Sequence, residues 1–391
     1  MPSLARDLRE IPPSPLVRVE ELLSRSGDLA PIGLHQGKTV FEPCARPRPW
    51  SAEEFAVAAH QHGPPGGVRQ LREAFAEHLS ARRGSPVDPA QVLVANGGTH
   101  AISVVLHAIL ERGDEVLVLS PQWLFATGLV HAAGGVPREV PVFLELGADA
   151  DFDFPAVIER AVTDRTRAIY FNNPNNPTGY RLTDAQLAAL TELAERHDLW
   201  LIADNAYENY DFTRAGFVDP ATVGRAAERT FSVYSCSKTY AMPGARVGFL
   251  VSPPGLTEPL TKWSLHSLYS VSSAAQFAAL EALRTPVEEL TRRRDRAAAA
   301  WWLADSKLEI PHTAVSGGLY TFLDLTGYGD GDGERFVGRC AESGVGLAPG
   351  RVFGAHCGDW ARLCFTAAPP QLVAEAIDRI NKIYREGTDE H

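Results

Sequence analysis

The sequence predicts an α/β protein with one large domain and a smaller one, and three observations lead there. At 391 residues, with 45% hydrophobic and 22% charged content, the chain can bury a large core. Short apolar, β-rich runs recur at 91–95, 114–120, 166–172 and 199–204, and each empties into a turn. Helical spacing follows, as after Thr99 and from Thr183, and strands alternating with helices build an open parallel sheet.

Composition narrows the partners. A formal charge of −11 argues against nucleic acid, whose binding needs clustered Lys and Arg to displace counterions. No apolar run approaches the roughly 20 residues that a bilayer crossing requires. The opening Met-Pro-Ser-Leu-Ala-Arg-Asp-Leu-Arg-Glu mixes charges early and lacks the apolar centre of a signal peptide, so a cytoplasmic protein is expected. Five cysteines form no C-x-x-C pair, and neither a metal site nor a disulfide framework is expected.

In chain order, residues 1–45 are proline-rich and carry Ile32–Gly37, a short extended piece ending at a glycine. Glycines and prolines at 60–67 precede the amphipathic run Leu71–Leu79, a loop entering a helix. Gly97 and Gly98 follow a strand and let backbone N–H groups approach an anion, with a helix opening at Thr99 and His100. The run from Asp114 ends in Ser-Pro ahead of Trp123, and ligands of open α/β sheets gather at such strand ends. A third run, from Thr166, ends in Asn172-Asn-Pro-Asn-Asn-Pro-Thr-Gly179, and Thr183 with Asp184 suits the start of the next helix. At the end of 199–204, Asp204 is costly to bury without a positive partner.

The stretch Ser235–Gly248 holds the chemistry. Lys238 stands between small hydroxyl residues, with Arg246 eight positions on. An amine so placed suits a site where Lys238 holds a carbonyl as an imine while Ser235, Ser237 and Arg246 take the anionic end of the same molecule. A nearby guanidinium helps keep the amine neutral. Taken alone, Ser-x-Ser-Lys reads more readily as a solvated surface turn, and the other stretches must decide. Beyond Gly248, the segment 263–273 is rich in Ser, Tyr and His, while 276–284 and the Arg292-Arg-Arg-Asp-Arg run read as helices, the arginines as a solvated face. Ala314–Leu325 alternates like a strand, and on charge alone Arg351 and Arg362 are rival anion ligands.

Together, Ser235-x-Ser237-Lys238 with Arg246, Asn172–Gly179 and Ala203-Asp-Asn-Ala-Tyr207 resemble the class I/II aminotransferases of the fold-type I pyridoxal-phosphate superfamily. The likeness runs over nearly the whole chain. It implies an N-terminal arm and part of the small domain at 1–45, a large domain with a mostly parallel seven-stranded sheet at 46–284, and a small α+β domain at 285–391.

The resemblance also implies roles. Pyridoxal 5′-phosphate would be joined to Lys238, its phosphate gripped by Gly98, Thr99 and His100 together with Ser235, Ser237 and Arg246. Trp123 would stack on the ring, Asp204 would face its protonated nitrogen, and Asn176 and Tyr207 would reach its 3′-oxygen. Gly37 and Asn176 would lie against the substrate carboxylate, and Arg362, in an Arg-Leu-Cys-Phe-Thr-Ala segment similar to the family's Arg-Leu-Ser-Tyr-Ala, would bind it with two parallel hydrogen bonds. His62 stands where the family places a tyrosine that reaches the partner subunit's cofactor, which implies a homodimer with shared sites. Tyr269, Ser270 and Ser272 are equal candidates for a second such contact.

The expected activity is amino-group transfer between an L-amino acid and a 2-keto acid, with Lys238 moving the α-proton. No Arg or Lys falls to a side-chain carboxylate, so neutral, aromatic or specialised amino acids are favoured. Elimination, replacement and cyclisation use the same residues and form the alternative. A transcription regulator's effector domain is not expected, because the sequence carries no basic helix-turn-helix extension.

Overall fold

In the computed structural model, residues 9–11, 16–24, 30–42, 60–329 and 331–388 are described. The boundary expected at residue 45 lies outside them. In chain order the strands are β1 (Ile32–Gly33), β2 (Val92–Ala95), β3 (Glu115–Ser120), β4 (Val136–Pro141), β5 (Thr166–Asn172), β6 (Trp200–Asp204), β7 (Thr230–Ser235), β8 (Gly248–Val251), β9 (Tyr320–Asp324), β10 (Val345–Gly346), β11 (Ala348–Pro349) and β12 (Trp360–Cys364).

Seven strands form one sheet in the order β2-β8-β7-β6-β5-β3-β4. All neighbours run parallel except at β8, which is antiparallel to both β2 and β7. Alternate residues supply the two faces. Val116, Val118, Tyr170 and Ile202 pack on one side, whereas Leu117, Leu119, Ile169, Phe171 and Leu201 pack on the other. Helices cover both faces, which explains why the sequence shows unbroken apolar runs instead of alternation.

The helices follow from local signals. Arg69–Arg83 buries Leu71, Phe75 and Leu79 at intervals of four and stops at Gly84, a left-handed residue at φ 66°. Asp184–Arg196 opens with a capping box between Thr183 and Gln186. The helix after β2 begins at Gly97, two residues earlier than expected. Gly97 itself makes the turn at φ 78°, so its neighbours fall into helical geometry at once.

A second, antiparallel sheet in the order β11-β12-β9 belongs to a smaller α+β lobe, and β1 pairs with β10 beside it. That lobe's core draws Val19, Leu23, Ile32 and Leu34 from the N-terminal part together with Phe336, Leu363, Ile377 and Ile380. The 21-residue helix Val287–Lys307 joins the two lobes. Its Leu290 packs with Leu71 and Phe75, whereas Ala297, Trp301 and Ala304 lie in the smaller lobe's core. The arginine run is not uniformly solvated: Arg292 is exposed, but Arg293 is buried and donates to the Glu42 carbonyl. Among the described residues no helix is long and apolar enough to cross a membrane.

Gly248 marks a point where the fold tolerates no side chain. A Cβ there would fall 2.7 Å from the Tyr234 carbonyl, 2.8 Å from Gly97 C and 2.9 Å from Gly98 N, all backbone. Gly248→Ala is expected to destabilise the protein by about 1–3 kcal/mol in urea unfolding, through overpacking. Gly244→Ala, with nothing within 4 Å, should change stability by less than about 0.5 kcal/mol.

Candidate active site

Strands β3, β5, β6 and β7 run parallel, so their carboxyl ends reach the same edge of the sheet. Trp123 follows β3, Asn172 ends β5, Asp204 ends β6 and Ser235 ends β7. A cavity at that edge is lined by Gly37, Gly98, Thr99, Trp123, Asn176, Asp204, Tyr207, Ser235, Ser237, Lys238, Arg246 and Arg362, twelve of the residues singled out from the sequence.

Lys238 sits on the short helix Cys236–Thr239, which Ser235 caps by accepting from the Ser237 N–H. The Lys238 amine donates to the Gly37 carbonyl. Burial pulls this amine down to about 8, with Arg362 and Arg246 adding to the effect against Cys364 and Asp204. A fraction is therefore neutral and nucleophilic near neutral pH.

Asp204 is the floor of the cavity. Tyr170 Oη donates to its Oδ2 at 3.0 Å and the Ala206 N–H to its Oδ1 at 3.1 Å. Burial nevertheless raises the carboxyl to about 6, because those bonds and Lys238 only partly offset desolvation. A carboxylate in this state gains from a cation set against it.

The end near Gly98 suits an anion. The Gly97–Ile109 helix points its first N–H groups there, beside Thr99, Ser235, Ser237 and Arg246. A Cβ on Gly97 would lie 2.6 Å from Arg246 Nη2, so the glycine is what lets the guanidinium close over the turn.

At the opposite end, Arg362 is buried on the central strand β12 between the rings of Tyr320 and Phe353, 4.3 and 4.6 Å from its guanidinium carbon. Its Nη1 donates to Asn176 Oδ1 at 2.8 Å and its Nη2 to the His35 carbonyl. Arg362 Nε is buried with no hydrogen-bond partner. An orphaned donor of a buried guanidinium is a ready seat for a carboxylate oxygen. Arg351, its rival on charge, is exposed and lies 3.6 Å from Glu334, outside the cavity.

Two expected residues are not brought to this cavity. His100 Nδ1 accepts from the Asn96 N–H at 3.2 Å and its Nε2 lies 3.3 Å from Ser267 Oγ, so it braces the turn from outside. His62 places its ring 4.5 Å from that of Tyr269. Neither lines the cavity of its own chain.

Other residues were missed. Tyr320 Oη lies 2.7 Å from Tyr207 Oη and covers Arg362. Gly37 is required by it, since a Cβ there would meet Tyr320 Oη at 1.9 Å. Tyr170 stands two residues before Asn172 on one strand face, a spacing that could have pointed it out. Leu16, Ile102, Leu124 and Phe125 also line the cavity, and nothing local in the sequence singles them out.

The chain matches the family described as aminotransferase class I and II over residues 49–380. It is 32% identical over 369 residues to a probable aspartate/prephenate aminotransferase of Thermus aquaticus, covering 91% of this chain and 93% of that one. With the aromatic-amino-acid aminotransferase 2 of Thermococcus litoralis it shares 29% identity over 390 residues, 98% of this chain and 99% of the other. A single mutant of Thermus thermophilus aspartate aminotransferase superposes with a TM-score of 0.87 at 32% identity, over 98% of this chain and 100% of that one. Sheet order, the lysine-bearing cavity at the strand ends and these full-length likenesses agree: the chain belongs to the class I and II aminotransferase family and is an aminotransferase of the fold-type I architecture.

Proposed function

We propose that the chain moves the amino group of an L-amino acid to a 2-keto acid, with pyridoxal 5′-phosphate held at Lys238. One observation carries the reading: a part-neutral amine, a buried carboxylate with a raised pKa and a buried guanidinium with an unpartnered Nε line one cavity. The residues fit that cofactor. Asp204 offers the negative partner that a pyridinium needs, the Gly98 turn with Ser235, Ser237 and Arg246 offers a phosphate seat, and Trp123 offers a flat face for a ring.

Bound there, the cofactor supplies an electron sink for negative charge at the substrate α-carbon. The protein does the rest. Lys238 Nζ, its amine neutral in part, takes the α-proton and later returns it. Arg362, joined by Asn176, holds the α-carboxylate and so aims the α-hydrogen at that amine. Asn176 and Tyr207, whose polar atoms lie 3.5 Å apart, present donors to an oxygen on the ring.

We further assign residues 46–284 to the large domain and 285–391 to the small one, and take the protein to be a homodimer. His62 and Tyr269, paired outside their own chain's cavity with Tyr269 half exposed, would face the partner's site.

Lys238→Ala is expected to lower the transamination rate at least about 10³-fold, and borohydride should fix the cofactor to Lys238 in the parent but not in the variant. An untouched Lys238 after borohydride sinks the assignment. Arg362→Lys should lower kcat/KM by about 10- to 100-fold, because lysine cannot make a forked contact. In the cofactor-free protein, acylation of Lys238 should be half-maximal near pH 8 and level off above it. An ordinary lysine titrates at about 10.4, so a midpoint there would show that the amine is not desolvated.

A further inference from the structure

We infer that Glu208, anchored by Arg82, is a positioning residue for Lys238, acting through the Thr239 hydroxyl on the turn of helix that carries the amine. The inference rests on the aminotransferase reading above and names the group that aims its lysine. Cys236–Thr239 is a helix of four residues, and the chain leaves it through Ala241 at φ 53°. Starting a helix is disfavoured by about a thousandfold, so a single turn does not hold its own shape. Neighbouring segments must fix it.

The turn after β6 provides that grip. Successive helical residues point about 100° apart, so with Lys238 turned into the cavity, Thr239 turns away from it and is buried. Thr239 Oγ1 lies 3.1 and 3.0 Å from the two carboxylate oxygens of Glu208. Two residues on, Tyr210 Oη donates to the Lys238 carbonyl at 3.0 Å, an oxygen that the Ala241 N–H reaches at 3.2 Å. The same turn sends Tyr207 to the cavity and Asn209 Nδ2 to the Leu290 carbonyl at 3.2 Å. Four consecutive residues thus join the cavity wall, the lysine's turn and the helix Val287–Lys307.

Glu208 is itself held from behind. Arg82, in the last turn of Arg69–Arg83, donates from Nη1 to Glu208 Oε1 and from Nη2 to the Glu208 carbonyl, each at 3.1 Å. Burial pushes this carboxyl up, while Arg82, Thr239 and the Asn209 N–H draw it back. A buried acid of this kind is costly, and the chemistry assigned to Lys238, Asp204 and Arg362 does not use it. Its contacts converge on the backbone turn that directs the amine.

The test compares Thr239→Val, which deletes the hydroxyl and leaves Glu208 paired with Arg82, with Thr239→Ser, which keeps it. Transamination by the cofactor-loaded enzyme is measured with L-aspartate or L-phenylalanine, whichever the parent converts faster, in ordinary and α-deuterated form. Thr239→Val should lower kcat about 10- to 100-fold with KM within about threefold, because Arg362 and Asn176 are untouched. It should also raise the α-deuterium isotope effect, because removal of that proton by Lys238 becomes limiting. In the cofactor-free chain, the midpoint of Lys238 acylation should climb from about 8 toward the ordinary value of about 10.4 as the amine meets water, with Arg362, Arg246, Cys364 and Asp204 around it unchanged. Thr239→Ser should restore both readouts. Glu208→Gln keeps the shape but loses the ion pair to Arg82; it should move both in the same direction by less, and it carries the test if Thr239→Val does not fold. A merely structural role would lower stability in urea yet leave the isotope effect and the acylation midpoint at the parent's values, and that result overturns the inference. Where borohydride still fixes Lys238 in the parent, only the positioning role is then lost. Without that fixation the reading beneath it goes.

Discussion

Desolvation of one amine and one carboxylate at the same sheet edge is the constraint on which the rest depends. Lys238 and Asp204 attract each other, yet each is driven toward its neutral form because burial costs more than their mutual attraction returns. The amine turns to a backbone carbonyl at Gly37, and the carboxylate to Tyr170 and Ala206. What is left is a reactive amine beside an acid short of a cation, a combination that an apolar interior tolerates only where a charged guest completes it.

The sheet makes this arrangement possible. Parallel strands deliver their carboxyl ends to one rim, and each rim residue is tied to its neighbour: Asn172 donates to the Asp204 carbonyl at 2.8 Å, and Asn176 N–H donates back to Asn172 Oδ1 at 2.7 Å. Close backbone approach then sets the anion end, where Gly97, Gly98 and Gly248 crowd together. Behind the lysine, Tyr210 Oη holds the Lys238 carbonyl at 3.0 Å and Glu208 accepts from Thr239. The amine is free to react because everything around its backbone is fixed.

How much could be read in advance depended on sequence distance. Strand ends and their turns were legible, since Asp204, Asn176 and the Ser235–Arg246 stretch announce themselves within a dozen residues. Arg362 and Arg351 were not separable by charge. Position separates them, for one lies on a central strand paired with Phe322 and Ala348 while the other is exposed. Leu16 and Tyr320 were illegible because they meet the cavity only through contacts between distant segments, and nothing in their neighbours along the chain marks them. His100 sat beside a readable turn but braces it at Asn96 from outside the cavity, a matter of helix phase that the turn itself does not disclose.

The helix Val287–Lys307 crosses from one core to the other without a break, a rod of 21 residues and so roughly 30 Å long. Being packed at Leu290 in one body and at Trp301 in the other, it cannot bend to let the lobes part. A second tie lies just before Tyr320, where Ser316, Gly317 and Gly318 hydrogen-bond the backbone of Gly179, Tyr210 and Phe212. Arg362 and Tyr320 are held to that same body directly, through Asn176 and Tyr207. With a rod at one place and a backbone tie beside Tyr320 at another, the mouth of the cavity is braced at two points rather than hinged at one.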